Sequence, residues 1–83
     1  MMYLIQDKID KAYIILNDST IEWSGRRFSN PSDWNGSMIN DSSRALTKSI
    51  DDWLLKCPKS RIILQHENLT PEILQQQYPE LFI

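Results

Sequence analysis

Apolar residues in the first half of the chain come in short runs separated by polar turns. Met2 to Ile5 is one run and Tyr13 to Leu16 another. Asn17, Asp18, Ser19 and Thr20 then form a polar break, after which Ile21, Glu22 and Trp23 resume an alternating pattern. Two β-rich runs flanking a short polar turn predict a hairpin, and Gln6 to Asp10 supplies the turn that pairs Met2–Ile5 with the second run. A helix from Leu4 to Leu16 is the competing reading, because Ile5, Ile9, Ala12, Tyr13 and Leu16 also fall at helical spacing. The polar turn and the restart after it favour strands.

The second half is periodic in a different way. Leu46, Ile50, Trp53, Leu54 and Cys57 follow the stripe of a helix with one buried face, predicting a helix over about 44–56. Ser42 or Ser43 can cap its first amides, and Pro58 disfavours helical geometry at Cys57. Arg61 to Gln65 reads as a buried strand. Thr70 and Pro71 open a short second helix, with Leu69 and Leu74 placed to staple its entry and Pro79 closing it after Tyr78.

Between the halves, Ser24 to Ser43 holds Gly25, Pro31 and Gly36 among Ser, Asn and Asp, a composition for an ordered loop. Asn30, Pro31 and Asp33 mark a helical start that Asn35 and Gly36 stop within about one turn. These elements predict a single small α+β domain over residues 1–83. Its antiparallel or mixed sheet, the N-terminal hairpin plus a strand near 61–65, is covered on one face by the main helix (about 44–56), with a short C-terminal helix following. One helix covers one face, so the other must meet solvent, the C-terminal segment or another chain.

Composition narrows this picture. At 83 residues and 9.8 kDa the chain has room for one core, and a 41% apolar share with 24% charged residues fits a folded domain. Nine basic against eleven acidic side chains give a net charge of −2, which withholds the basic excess of a strong nucleic-acid binder. Cys57 is the sole cysteine, so there is no intramolecular disulfide and no Cys-based metal site. The N-terminus reaches Asp7 without a basic leader or a long apolar run, so a cytoplasmic location away from the membrane is expected.

Catalytic chemistry finds little to work with. His66 is the only histidine, and Glu67 beside it points elsewhere on a strand or a helix. Asp51 and Asp52 fall on the polar side of the 44–56 helix. Cys57 and Arg61 are too close for the phosphate loop of a Cys-dependent phosphatase, and two glycines cannot build a glycine-rich phosphate cradle. The expectation is a non-enzymatic protein, with neither a metal nor a cofactor.

Trp23, Arg26, Arg27, Phe28 and Trp34 form the most informative cluster, because Trp and Arg are the types most enriched at binding hot spots. They predict a protein-binding module of the kind used as an inhibitor, an immunity protein or a small regulatory subunit, of bacterial or phage type. The alternative places Trp23 in a strand core, leaves both arginines in solvent and folds Trp34 back over the sheet. The same residues support a second function, weak single-stranded nucleic-acid binding. In that reading the rings stack on bases while Arg26 and Arg27 meet phosphates, and Lys56, Lys59 and Arg61 extend the basic surface. Finally, Leu81, Phe82 and Ile83 end the chain on three large apolar groups, which dock either on the uncovered sheet face or in a second subunit as a homodimer.

Overall fold

The structure, a computed structural model, describes residues 1–40 and 49–82. Five antiparallel strands make one open sheet: β1 (Met2–Asp7), β2 (Tyr13–Asn17), β3 (Glu22–Trp23), β4 (Ile39–Asn40) and β5 (Ser60–His66). Their spatial order is β4-β3-β2-β1-β5. The N-terminal hairpin is present in the expected register, with Leu4 opposite Ile15 and Ile5 opposite Ile14, and the Leu4–Leu16 helix is not formed. The apolar runs at 2–5 and 13–16 are continuous because both strands lie inside the sheet and are buried on both sides.

Alternation along β1 and β2 sends side chains to two separate clusters. Met2, Leu4 and Ile15 point to the first face, where they meet Phe28, Trp34, Leu64, Leu69 and Leu74. Tyr3, Ile5, Ile14 and Leu16 point to the second face, against Trp23, Ile50 and Trp53.

Helix α1 (Ile50–Lys56) lies on the second face through Ile50 and Trp53. It begins later than its periodicity predicts. Ser49 is extended (φ −158°, ψ 166°) and its side chain accepts from the Asp52 amide, so Ser49 is the cap. Residues 44–48, with Leu46, and the expected caps Ser42 and Ser43 lie outside the described residues. Helix α2 (Pro71–Gln77) is built as expected, with the Thr70 hydroxyl accepting from the Ile73 amide and Pro71 in the first turn. Leu69 and Leu74 join the same buried cluster on the first face.

The first face is closed by two irregular pieces besides α2. A strap from Ser24 to Met38 crosses it, with one 3₁₀ turn at Pro31–Asp33 where the Asn30-Pro31 signal and the Asn35-Gly36 stop put it. A second 3₁₀ turn, Pro79–Phe82, ends the chain, and Leu81 packs half-buried on the first-face cluster. The side chains of Phe82 and Ile83 lie outside the described part. Strand β5 is the outermost strand on one side. Its ladder with β1 slips by one residue, Leu4 facing Leu64 and Ile5 facing Ile62, so Ile63 is an inserted bulge residue.

Candidate functional site

The five residues singled out from the sequence do not share a surface. Phe28 and Trp34 are core: they are 6% and 5% exposed. Phe28 makes an isolated two-bond bridge to Tyr13 (2.7 and 2.9 Å), and the two rings stack at 6.5 Å. Trp34 lies in the same cluster, its Nε1 donating to the Ser37 carbonyl at 3.1 Å. Both belong to the strap that folds back over the sheet, and burial of such rings is a large part of what holds a loop of this length against the first face. Phe28 and Trp34 are thus buried in the first-face core rather than presented at the surface.

Ser24 starts the strap and explains how the chain leaves β3. Its amide donates to the Ile15 carbonyl at 2.8 Å, its Oγ accepts from the Ile15 amide at 3.1 Å, and its hydroxyl donates to the Arg26 carbonyl at 3.0 Å. The hydroxyl thus stands in for the ladder bond that the departing backbone no longer makes.

Arg27 is exposed but engaged. Its Nη1 lies 2.9 Å from Asp7 Oδ2 and 3.7 Å from Asp10 Oδ2. Asp7 Oδ1 in turn accepts from the Ile9 amide at 2.8 Å, so one carboxylate shapes the β1–β2 connection and latches the strap to it. The Arg27 hydrogen bond, followed by the Ile9 amide, holds the Asp7 carboxyl below its ordinary value.

Trp23 and Arg26 remain as candidate contacts, and the fold adds a neighbour that the sequence did not single out. Ile39, on the short edge strand β4, stands directly opposite Trp23 on the second face and is 49% exposed. Its Cδ1 lies over Gly25, where a Cβ would come within 2.8 Å of this mobile tip, and the left-handed backbone there (φ +83°) is what favours glycine. Arg26 follows immediately and is exposed. Trp23 and Ile39 thus make an apolar pair at one edge of the sheet, with the exposed Arg26 three positions beyond Trp23 in the chain.

The basic residues around Pro58 approach the arginine side of the molecule at the opposite end of β1. Asp7, the partner of Arg27, faces Ser60 across the ladder, and the Lys8 amide donates to the Lys59 carbonyl at 2.9 Å. No described aromatic ring is exposed there, so this basic surface lacks the stacking platform that single-stranded nucleic acids use. His66 and the helix carboxylates do not converge. His66 faces Met2 on the first face, its Nδ1 accepting from the Asn68 amide at 3.0 Å. Asp51 acts instead on Tyr3 of the second face, whose phenol is pushed above its ordinary value by burial first and then by Asp18 and Asp51. Among the described residues no three metal-ligating side chains come together, and no helix is long and apolar enough to cross a membrane. No protein-family model, curated protein or solved structure matches the chain.

Proposed function

We propose that the chain is a small non-catalytic protein-binding module whose contact surface is the Trp23–Arg26–Ile39 patch. The observation that carries this reading is Ile39, a large apolar side chain half in solvent on an outermost strand, paired with a half-buried Trp and near an exposed Arg in the chain. An aromatic anchor beside an aliphatic and a guanidinium is the composition that concentrates binding energy at protein interfaces. The contact surface is thus smaller than the five-residue cluster of the sequence, since Phe28 and Trp34 are buried on the other face and Arg27 is paired with Asp7. The separation of His66 from Asp51 and Asp52 by the sheet supports a binding rather than a catalytic role.

The test compares partner capture from a lysate by the wild type and by an Arg26→Ala/Ile39→Ser variant, with nuclease treatment in parallel. Both side chains are exposed, so the variant is expected to keep its circular dichroism spectrum and melting temperature. A stoichiometric protein that withstands nuclease and is lost with the variant supports the reading. Capture that the variant leaves unchanged, or that nuclease abolishes, rejects it.

A further inference from the structure

Where the β1–β2 connection meets β5, an open cleft of about 240 Å³ is lined by Gln6, Lys8, Lys11 and Arg61. Three of the four are cations. The nearest acids, Asp7 and Asp10, are both turned to Arg27. No carboxylate pairs with Lys8, Lys11 or Arg61 among the described residues. Three positive charges on one concavity, uncompensated in a chain of net charge −2, repel one another and concentrate a positive potential where solvent can enter.

The groups are also held in place. Arg61 donates through Nε (3.2 Å) and Nη2 (2.9 Å) to the same oxygen, Gln6 Oε1. This fixes the guanidinium plane, leaves its other N–H groups to donate, and commits the Gln6 carboxamide so that its NH₂ remains a donor. Gln6 and Arg61 are direct cross-strand partners. Lys8 and Lys11 sit on the β1–β2 connection, which is closed by the Asp7 amide on the Ala12 carbonyl (2.9 Å), tied to Lys59 through the Lys8 amide, and turned by a left-handed Lys11 (φ 57°). A cleft whose donors are all cationic or amide, with no acceptor offered by a paired acid, fits a compact anion of high charge density better than an extended apolar ligand.

We propose that this cleft is a binding site for a terminal phosphate group, a phosphomonoester dianion, with Arg61 as the planar donor and Lys8 and Lys11 as the neutralising charges. The site uses none of the residues of the proposed protein contact, so each can fail without the other.

The test is a titration of the full chain with inorganic phosphate at pH 7.5, followed by amide NMR shifts and repeated with chloride at matched ionic strength. Saturable shifts confined to Gln6, Lys8, Lys11, Arg61 and their neighbours are expected with phosphate and absent with chloride. Arg61→Ala and the pair Lys8→Ala/Lys11→Ala should each weaken the binding about tenfold, the factor for one charge-assisted hydrogen bond. Lys59→Ala, outside the cleft lining, should leave it within about twofold, well under that factor. Glycerol phosphate and a capped phosphoserine peptide identify the source of the phosphate: a preference for either supports the site and says which kind of molecule carries it. Shifts spread over all Lys and Arg residues, equal responses to chloride, or tighter binding of a short oligonucleotide than of any monoester would overturn the proposal. The last outcome would assign the surface to a phosphodiester backbone instead.

Discussion

The two faces of the sheet are closed in different ways. On the first face Phe28, Trp34, Leu69 and Leu74 are all essentially removed from water, and Trp34 has its Nε1 satisfied by Ser37. On the second face the covering residues Trp23, Ile50 and Trp53 are only half-buried. The indole nitrogens of Trp23 and Trp53 are buried, yet find no acceptor among the described residues. A buried donor without a partner forfeits its bond to water. Among the described residues the first face is therefore the more completely sealed side of the sheet, and the second face carries the thinner cover.

The most direct way to break this contrast is to truncate one covering residue on each side. Leu74→Ala should cost about 2–5 kcal/mol and Trp34→Ala about 3–5 kcal/mol, the range for fully buried side chains of these sizes. Trp53→Ala should cost less than Trp34→Ala, because part of the Trp53 side chain stays in water in the folded state. Denaturant unfolding of the three variants measures the order, and a Trp53 variant as damaged as the Trp34 variant would dissolve the contrast. Substitution by Phe sharpens it: Trp53→Phe removes an orphaned N–H and should be nearly neutral, whereas Trp34→Phe loses a made hydrogen bond.

Next in size is Ser24→Ala at the root of the strap. It leaves the buried Ile15 amide without the Oγ acceptor, a loss of about 1–3 kcal/mol. An unchanged denaturation midpoint would mean that the strap is held by its rings alone.

A smaller effect of opposite sign is expected in the β2–β3 turn that carries Trp23 onto the second face. Ile21 has φ +54°, a left-handed conformation that a β-branched residue adopts only under strain. Ile21→Gly should raise stability by a few tenths to about 1 kcal/mol, the gain from relieved backbone strain less the extra freedom of the unfolded chain. A fall in melting temperature would show that the half-buried Ile21 side chain contributes more by packing than its backbone costs.

The smallest effect belongs to the Asp7–Arg27 latch, which is exposed. Because the folded-state pKa of Asp7 is depressed, the latch stabilises fully above the unfolded value of about 3.9 and is lost as pH falls through the folded value. Wild type and Asp7→Asn should thus differ in melting temperature at pH 7 and converge only in acid below the depressed folded-state value of Asp7. A gap that persists in acid would assign the difference to the β1–β2 turn rather than to charge.

Much of the framework was legible in the sequence because its signals are local. The hairpin follows from two β-rich runs around polar turns, α2 from Thr70-Pro71 with Leu69 and Leu74, and the 3₁₀ turn from Asn30-Pro31. The Ser49 cap of α1 was not legible: Ser49 sits inside a stripe that runs from Leu46 to Cys57, and periodicity does not register a capping serine within it. The Trp/Arg cluster was misread for a related reason. Five residues within twelve positions look like one surface. Yet Trp23 follows strand alternation to one face, while Phe28 and Trp34 ride a reversing strap to the other, and Arg27 is claimed by an aspartate twenty positions earlier. Nor could spacing bring Gln6 and Arg61 together, since they are neighbours only through the β1–β5 ladder. The one available hint was cations at the ends of predicted strands, beside a turn.

The bulge at Ile63 also bears on how the molecule behaves when crowded. Ile62, Ile63 and Leu64 are three consecutive aliphatic residues on the outermost strand, the composition from which copies of a protein grow into sheets by adding strand to strand. The inserted residue breaks the pleat at the centre of that triplet, and Lys59 and Arg61 stand exposed at its entrance. A second copy laid along β5 would find its hydrogen-bonding groups out of step and a guanidinium at its margin. The irregularity thus makes β5 a poor template for adding a further strand.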